Sequence, residues 1–149
     1  MIGDTVTLGM VAGTIGNLAK DLSNYLLYRR KVTTEVYPRV AASLFTDSGS
    51  ARRPAGFAVG LITDGLIGAG AGIPLAYVLT RTGKDNYLLK GIGVGLALWS
   101  LFYGGLGGKL SIRPRDPPTL LSGFWNNALY GAVTAFAITR LASPRLFRR

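Results

Sequence analysis

The amino-acid sequence predicts an all-α, polytopic membrane protein, in which residues 1–149 form a single bundle of four transmembrane helices with a short interfacial helix in the first loop. Three observations support this class. The 149 residues are 48% hydrophobic and only 16% charged, with a mean hydropathy of +0.31. Apolar stretches long enough to cross a bilayer of about 30 Å alternate with basic connections. Glycine recurs every fourth residue in several stretches, a spacing that lets membrane helices approach closely.

The first two predicted spans are bounded by basic residues. The first covers residues 5–28 and stops at the basic run 29–31. The second covers residues 55–79 and starts after Pro54, a residue that suits the first turn of a helix. It ends in the polar turn 81–86, which is short enough to bring the next span back antiparallel.

The third and fourth predicted spans cover residues 87–108 and 120–141. The long loop before the second span contains a candidate surface helix at residues 33–45, where the apolar residues follow a helical spacing. Glu35 and Arg39 favour a helix that lies on the membrane surface over one that re-enters it. The apolar face of this predicted helix consists of Val36, Tyr37, Val40, Ala41 and Leu44.

Small residues form stripes on all four spans, because residues four apart lie on one helix face. The glycines concerned are Gly9 and Gly13, then Gly56, Gly60, Gly68 and Gly72, then Gly91 and Gly95, and finally Gly123 and Gly131. These stripes predict close helix packing within the chain and possible packing between copies of it.

A layer of polar residues lies inside the predicted spans. Counted at 1.5 Å per residue from the ends that face the first loop, Lys20, Asp64 and Asn126 all lie about 11 to 15 Å deep. The predicted layer comprises Asn17, Lys20, Asp21, Asn24, Asp64, Asn126 and Asn127. An unpaired charge in hydrocarbon is costly, so Lys20 is expected to pair with a carboxylate, either Asp64 or Asp21.

Two roles for this layer stay open. It could be a satisfied structural network, in which Lys20 pairs with Asp64 while Asn126 and Asn127 donate hydrogen bonds. Alternatively, it could line a cavity that binds an ion, a proton or a polar solute. The structural role is favoured because the charges of Lys20, Asp21 and Asp64 nearly cancel. In addition, the other half of the membrane depth lacks a matching polar path.

Residue types exclude much of enzyme chemistry. The chain has no cysteine and no histidine, so thiolate or imidazole metal sites and the usual Ser-His and Cys-His nucleophiles are excluded. The glycine-rich segment 91–95 lacks the third glycine of a dinucleotide-binding loop. We therefore expect no enzymatic activity, no cofactor and no bound metal.

The net charge of +10 indicates a lipid partner rather than nucleic acid. The basic residues occupy connections between apolar spans, where they would contact anionic lipid head groups. Nine lie in the first and third loops and seven on the other side, a weak bias that leaves dual insertion open. The first span is followed by three basic residues and preceded by none, which favours both termini outside.

Three short motifs resemble those of a known group of proteins. They are the segments 16–21, 89–95 together with Trp99, and 127–131. These motifs look like those of uncharacterised, small four-span membrane proteins of clostridial-type Gram-positive bacteria. The resemblance implies a bacterial inner membrane and supplies no activity and no functional residue.

From these observations we expect a non-enzymatic membrane protein that acts through helix packing, either as a homo-oligomer or as an accessory subunit of a larger membrane assembly. The alternative is a small transporter or channel for an ion, a proton or a polar solute, which would use the polar layer around Lys20 and Asp64.

Overall fold

The computed structural model describes residues 1–34, 36–45, 49–102 and 116–147, and all of their side chains except that of Arg52. Within these ranges the secondary structure is helical, which confirms the predicted all-α class for this part of the chain. The α-helices are α1 (Thr5–Arg29), α2 (Tyr37–Ala42), α3 (Pro54–Thr82), α4 (Tyr87–Ser100) and α5 (Pro117–Leu141). Short 3-10 turns lie at Ser50–Arg52, before α3, and at Pro144–Phe147, after α5.

The long helices start and end close to where the basic and proline residues predicted. Helix α3 extends three residues past the predicted end, and stops where Gly83 adopts a φ of 83° and its N–H donates to the Leu79 carbonyl. Helix α4 covers the first part of the predicted span 87–108, and residues 103–108 lie outside the described ranges.

Aspartates cap the first and last helices. The Thr7 N–H donates to Asp4 Oδ1 at 2.6 Å, and the Thr119 N–H donates to Asp116 Oδ2 at 2.9 Å. These bonds satisfy amide groups that have no partner within the helix. Because they favour the charged form, bonds to Thr7 lower the pKa of Asp4 and bonds to Thr119 lower the pKa of Asp116.

Helix α1 lies between α3 and α5, and α5 in turn packs against α4. Neighbouring long helices run antiparallel: early residues of α1 contact late residues of α3 and α5, and early residues of α4 contact late residues of α5. The two chain ends meet, since the Ile2 N–H donates to the Leu141 carbonyl and the Ser143 N–H donates to the Ile2 carbonyl, both at 2.8 Å. Helices α3 and α4 are consecutive, but they touch much less than the other neighbours.

The glycine stripes make these helix contacts within one chain. A Cβ on Gly9 would lie 2.6 Å from the Ile73 Cα, and one on Gly13 would lie 3.0 Å from the Gly72 Cα. A Cβ on Gly91 would overlap the Gly131 carbonyl in the same way. Any side chain at these positions would therefore push two backbones apart, which is why the stripes carry glycine.

Helix α2 is shorter than the predicted helix 33–45 and is packed on α3 rather than lying alone. The Pro38 carbonyl occupies the place that a Cβ on Gly60 would need. On its predicted apolar face Val36, Tyr37 and Ala41 are buried, whereas Val40 and Leu44 are half-buried. Sequence spacing thus predicted which face of α2 is buried, whereas contact with Gly60 determines where α2 packs on α3.

One end of the bundle is filled by apolar side chains. Leu8, Leu75, Leu79 and Ile138 are fully buried there, together with small residues such as Ala12. This apolar cluster lies in the half of the bundle that holds the chain termini.

Among the described residues, α3 alone is long and apolar enough to cross a membrane, and α4 is a shorter apolar helix. Only 33% of the most apolar 18-residue window of α3 is buried, so this helix turns much of its apolar surface outward. Large apolar side chains are exposed on the other long helices as well, including Leu18, Leu22, Leu89, Leu121 and Phe124.

Candidate functional site

Lys20 of α1 and Asp64 of α3 form a buried ion pair. Lys20 Nζ lies 3.0 Å from Asp64 Oδ1 and 3.1 Å from Oδ2, and both residues are less than 10% exposed. Antiparallel packing brings them together, because Gly68 and Gly72 let α1 approach α3. The contact expected from the depth of the two residues is therefore present in the structure.

A second carboxylate shares the same lysine. Asp21 Oδ1 lies 3.5 Å from Lys20 Nζ, and the side chain of Asp21 is half-buried. The Asn17 amide joins the two acids, since Nδ2 donates to Asp64 Oδ2 at 2.9 Å and to Asp21 Oδ2 at 3.1 Å. One ammonium and one amide thus serve two carboxylates, a group that carries one excess negative charge when all three residues are ionised.

Helix α2 covers this group of residues from the loop side. The ring of Tyr37 lies over the ammonium of Lys20, with 4.4 Å from Nζ to the ring centroid. The Tyr37 N–H donates to Asn24 Oδ1 at 3.3 Å, which ties the start of α2 to α1. Asn24 therefore belongs to the layer as a positioning residue for α2.

A cavity of about 210 Å³ opens beside the ion pair, in the gap where α3 and α4 separate. Lys20 and Asp64 are the charged residues of its described lining, and Asn17 and Asn127 add polar groups. Most of the remaining surface is apolar. The other lining residues are Tyr37, Val40, Ala41, Leu44, Ile67, Gly68, Ala71, Gly95, Leu98, Trp99, Phe102 and Tyr130.

The cavity reaches the middle of the bundle. Measured along α3 from Pro54 at 1.5 Å per residue, Asp64 lies about 15 Å and Ala71 about 26 Å from the start of the helix. Since α3 is roughly 43 Å long, the lining extends past its midpoint. The apolar cluster around Leu75 and Leu79 closes the remaining distance.

The two asparagines of α5 are not used as the sequence predicted. Asn127 lines the cavity, but its Nδ2 donates to the Gly123 carbonyl at 2.8 Å. Asn126 is fully buried, and within the described part of the chain neither of its side-chain atoms has a hydrogen-bond partner. Neither residue donates to the Lys20–Asp64 pair in the described bonds.

Sequence reasoning missed the aromatic residues that complete the site. Tyr130 is buried and its hydroxyl donates to the Gly68 carbonyl at 2.7 Å, which joins α5 to α3. Trp99 packs against Gly123 and meets Phe124 edge-to-face at 6.2 Å. One signal for Tyr37 was present in the sequence. The glycine stripe of α3 continues through Gly60 towards the start of that helix, and there Pro38, the neighbour of Tyr37 in the first loop, covers it.

The site combines paired charged groups with a mainly apolar space. Within the described ranges, no group of three or more histidine, cysteine, aspartate or glutamate side chains is placed to hold a metal ion. The charged groups are already paired with each other, and the free space beside them is lined mainly by apolar and aromatic side chains. Such a cavity suits a ligand with an apolar body and one polar or charged end.

Comparison with known proteins gives no relative: no protein-family description, no curated protein and no solved structure matches this chain.

Proposed function

We propose that this chain is a non-enzymatic, four-span protein of a bacterial inner membrane, and that it binds and carries a small solute in the cavity beside Lys20 and Asp64. The observation that carries the proposal is the position of the buried ion pair in the wall of that cavity. Charged residues inside membrane helices usually pair or face a water-filled space, and they mark solute and ion pathways.

The four-span arrangement is supported by the outward apolar surface of the bundle. Helix α3 has the length and composition of a span, and large apolar side chains project from α1 and α5, which are nearly as long. An exposed apolar surface on every long helix is unfavourable in water and favourable in lipid. The adjacent chain ends also suit an even number of crossings.

A carrier fits the cavity better than an open channel does. The space beside Asp64 extends past the midpoint of α3, but Leu8, Leu75 and Leu79 fill the bundle beyond it. A solute could therefore enter from one side only, and crossing would need a change in helix packing. Helices α3 and α4 pack against each other least among the consecutive long helices, so we expect such a change to separate them.

The assembly hypothesis loses its main motivation, because the stripes of α1, α3, α4 and α5 contact helices of the same chain. Leucine at Gly60 or Gly68 would strike the Pro38 carbonyl or the Asn17 side chain, so these variants test the fold rather than association. Elution of the purified protein from a detergent sizing column tests association directly. A homo-oligomer or accessory subunit remains the second proposal.

Flux into liposomes tests the proposed function. Reconstituted protein should accelerate the entry of protons or small ions over empty vesicles, with a rate that saturates as the solute concentration rises. Ala71→Phe should abolish the flux, because Ala71 lines the cavity and a phenyl ring there would fill it. The same substitution at the exposed Ala58 serves as the control and should leave the flux unchanged. Equal flux from both variants would contradict transport through the cavity.

A further inference from the structure

The lining of the cavity restricts the shape and polarity of its ligand. Aromatic rings come from α2, α4 and α5, namely those of Tyr37, Trp99 and Tyr130, and Phe102 adds a fourth. The volume of the cavity is about 210 Å³. This exceeds the roughly 150 Å³ of a cavity that holds benzene, and it is smaller than the roughly 300 Å³ at which sites for drug-sized ligands begin. A ligand here is small and largely apolar.

The charges beside the cavity favour a positively charged ligand. Lys20 is engaged by Asp64 at 3.0 Å, by Asp21 at 3.5 Å and by the Tyr37 ring at 4.4 Å, so its ammonium has little attraction left for an anion. When Asp21 and Asp64 are both ionised, the two carboxylates outnumber the single ammonium. One more positive charge would balance the group.

The amide of Asn17 offers no free donor to an anion either. Asn17 is 3% exposed and lines the cavity, but its Oδ1, which has no hydrogen-bond partner within the described residues, is buried against Gly68 of α3. Its amide nitrogen is fixed by the two carboxylates, so the oxygen cannot be exchanged with it. The buried polar end of the site therefore has no spare donor for an anion among Asn17, Lys20 and Asp64.

We propose that the cavity binds a small lipophilic organic cation: an ammonium group held near Asp64, with apolar substituents against Trp99 and Phe102. Aromatic faces attract quaternary ammonium groups through their quadrupoles, and a nearby carboxylate adds charge attraction. This inference rests on the proposed function, since it requires that the cavity admits a solute, and it adds the chemical class of that solute.

Equilibrium binding of radiolabelled benzyltrimethylammonium to the detergent-solubilised protein tests the inference, with protein-free micelles as background. Binding should saturate. Its neutral analogue neopentylbenzene, in which carbon replaces the charged nitrogen, should compete at least tenfold more weakly, and benzenesulfonate should not compete. Equal competition by the neutral analogue would overturn the cation assignment in favour of an apolar ligand, and stronger competition by benzenesulfonate would overturn it in favour of an anion.

Binding measurements on variants test whether the cation binds in the cavity. Asp64→Asn should weaken binding at least tenfold by removing the negative charge, and Ala71→Phe should do so by filling the space without touching the ion pair. Ala58→Phe, on an exposed part of α3, should bind as the unaltered protein does. Should Asp64→Asn fail to fold, the competition series and Ala71→Phe decide the question.

The outcome separates this inference from the proposed function. Flux that Ala71→Phe abolishes, together with no binding of benzyltrimethylammonium, would overturn the organic cation and leave the carrier standing. If the protein supports no such flux and also does not bind benzyltrimethylammonium, both proposals are overturned. Binding that persists unchanged in Ala71→Phe would show that the cation lies elsewhere and would also overturn the inference.

Discussion

Asp21 and Asp64 share the single ammonium of Lys20, so removing the lysine and removing one acid should have different effects on stability. Asp64 and Asp21 both lie within 3.5 Å of Lys20 Nζ, and the Asn17 amide supports both acids. Removing the lysine leaves two buried or half-buried acids side by side, whereas removing Asp64 leaves Lys20 with Asp21. The pair is thus part of a three-residue unit.

The first prediction is a double-substitution cycle on this pair. The combined change of Lys20→Met and Asp64→Leu should destabilise the protein by less than the sum of the two single changes, with a coupling of about 1 to 3 kcal/mol. Lys20→Met should be the more harmful single change, because it leaves two acids unpaired. Unfolding of the purified protein in mixed detergent micelles gives the three free energies. Strictly additive effects would contradict the contact.

The second prediction concerns the cap of α5. Bonds from Thr119 lower the pKa of Asp116 in the folded state, so the charged cap stabilises the protein above the ordinary aspartate pKa of about 3.9. This contribution is lost as the pH falls through the lower folded-state value. Asp116→Asn keeps a capping oxygen that cannot titrate, and Asp116→Ala removes the cap.

Thermal unfolding from pH 7 to pH 3 compares these variants. Asp116→Ala should unfold at a lower temperature than the unaltered protein at pH 7, and the difference should shrink at the acid end. Asp116→Asn should lose less stability than the unaltered protein over the same range. Asp85→Asn, an exposed acid in the turn before α4, is the matched control. Identical pH profiles for all four proteins would contradict the role of the cap.

At the scale of the helices, one face of α3 serves several neighbours in turn. Gly56 lies against Ser50, Gly60 against Pro38, Asp64 against Lys20 and Gly72 against Gly9 of α1. The four-residue period predicted that this face is packed, but not which element covers each part of it. That depends on how the loop folds back, which is a tertiary property and leaves no local periodicity of its own.

The third prediction compares two glycines of α3. Gly72→Ala should destabilise the bundle by about 1 to 3 kcal/mol, because its Cβ would overlap the Gly9 carbonyl. Gly70→Ala meets nothing within 4 Å and should be neutral or stabilising by up to about 1 kcal/mol. Unfolding free energies in micelles measure both. Equal effects would mean that α1 and α3 do not touch along this stripe.

Sequence depth and spacing predicted the helices, the Lys20–Asp64 contact and the buried side of α2. The cavity was not predictable, because it arises from the separation of α3 and α4, and a gap between helices has no residue pattern that specifies it. The aromatic lining was missed for a related reason. Trp99 and Tyr130 have the same spacing in the sequence as ordinary packing residues, and only the assembled bundle brings them to one space.

At the scale of the whole molecule, the fourth prediction concerns orientation. The bonds between Ile2 and residues 141 and 143 hold the two chain ends together, so they lie on one side. The basic run after α1 predicts that this side faces outward and that the first loop is cytoplasmic. The chain has no cysteine, so single cysteines can report each side.

Labelling of intact cells with a membrane-impermeant thiol reagent tests this orientation. Ser143→Cys should be labelled and Gly49→Cys should be protected until the cells are opened. The reverse pattern would invert the assignment. Equal partial labelling of both would indicate dual insertion, for which the nearly even split of basic residues leaves room.

The central claim is that the space beside Lys20 and Asp64 admits solutes from water, and thiol reactivity at Ala71 tests it most directly. A cysteine reacts with a small water-soluble methanethiosulfonate only where water reaches and ionises the thiol. Ala71 lines the cavity, whereas its neighbour Gly70 lies at the same depth on the exposed face of α3. In lipid vesicles, Ala71→Cys should react and Gly70→Cys should not. Reaction at neither position, in protein that is folded, would contradict the claim and leave the ion pair as a purely structural contact.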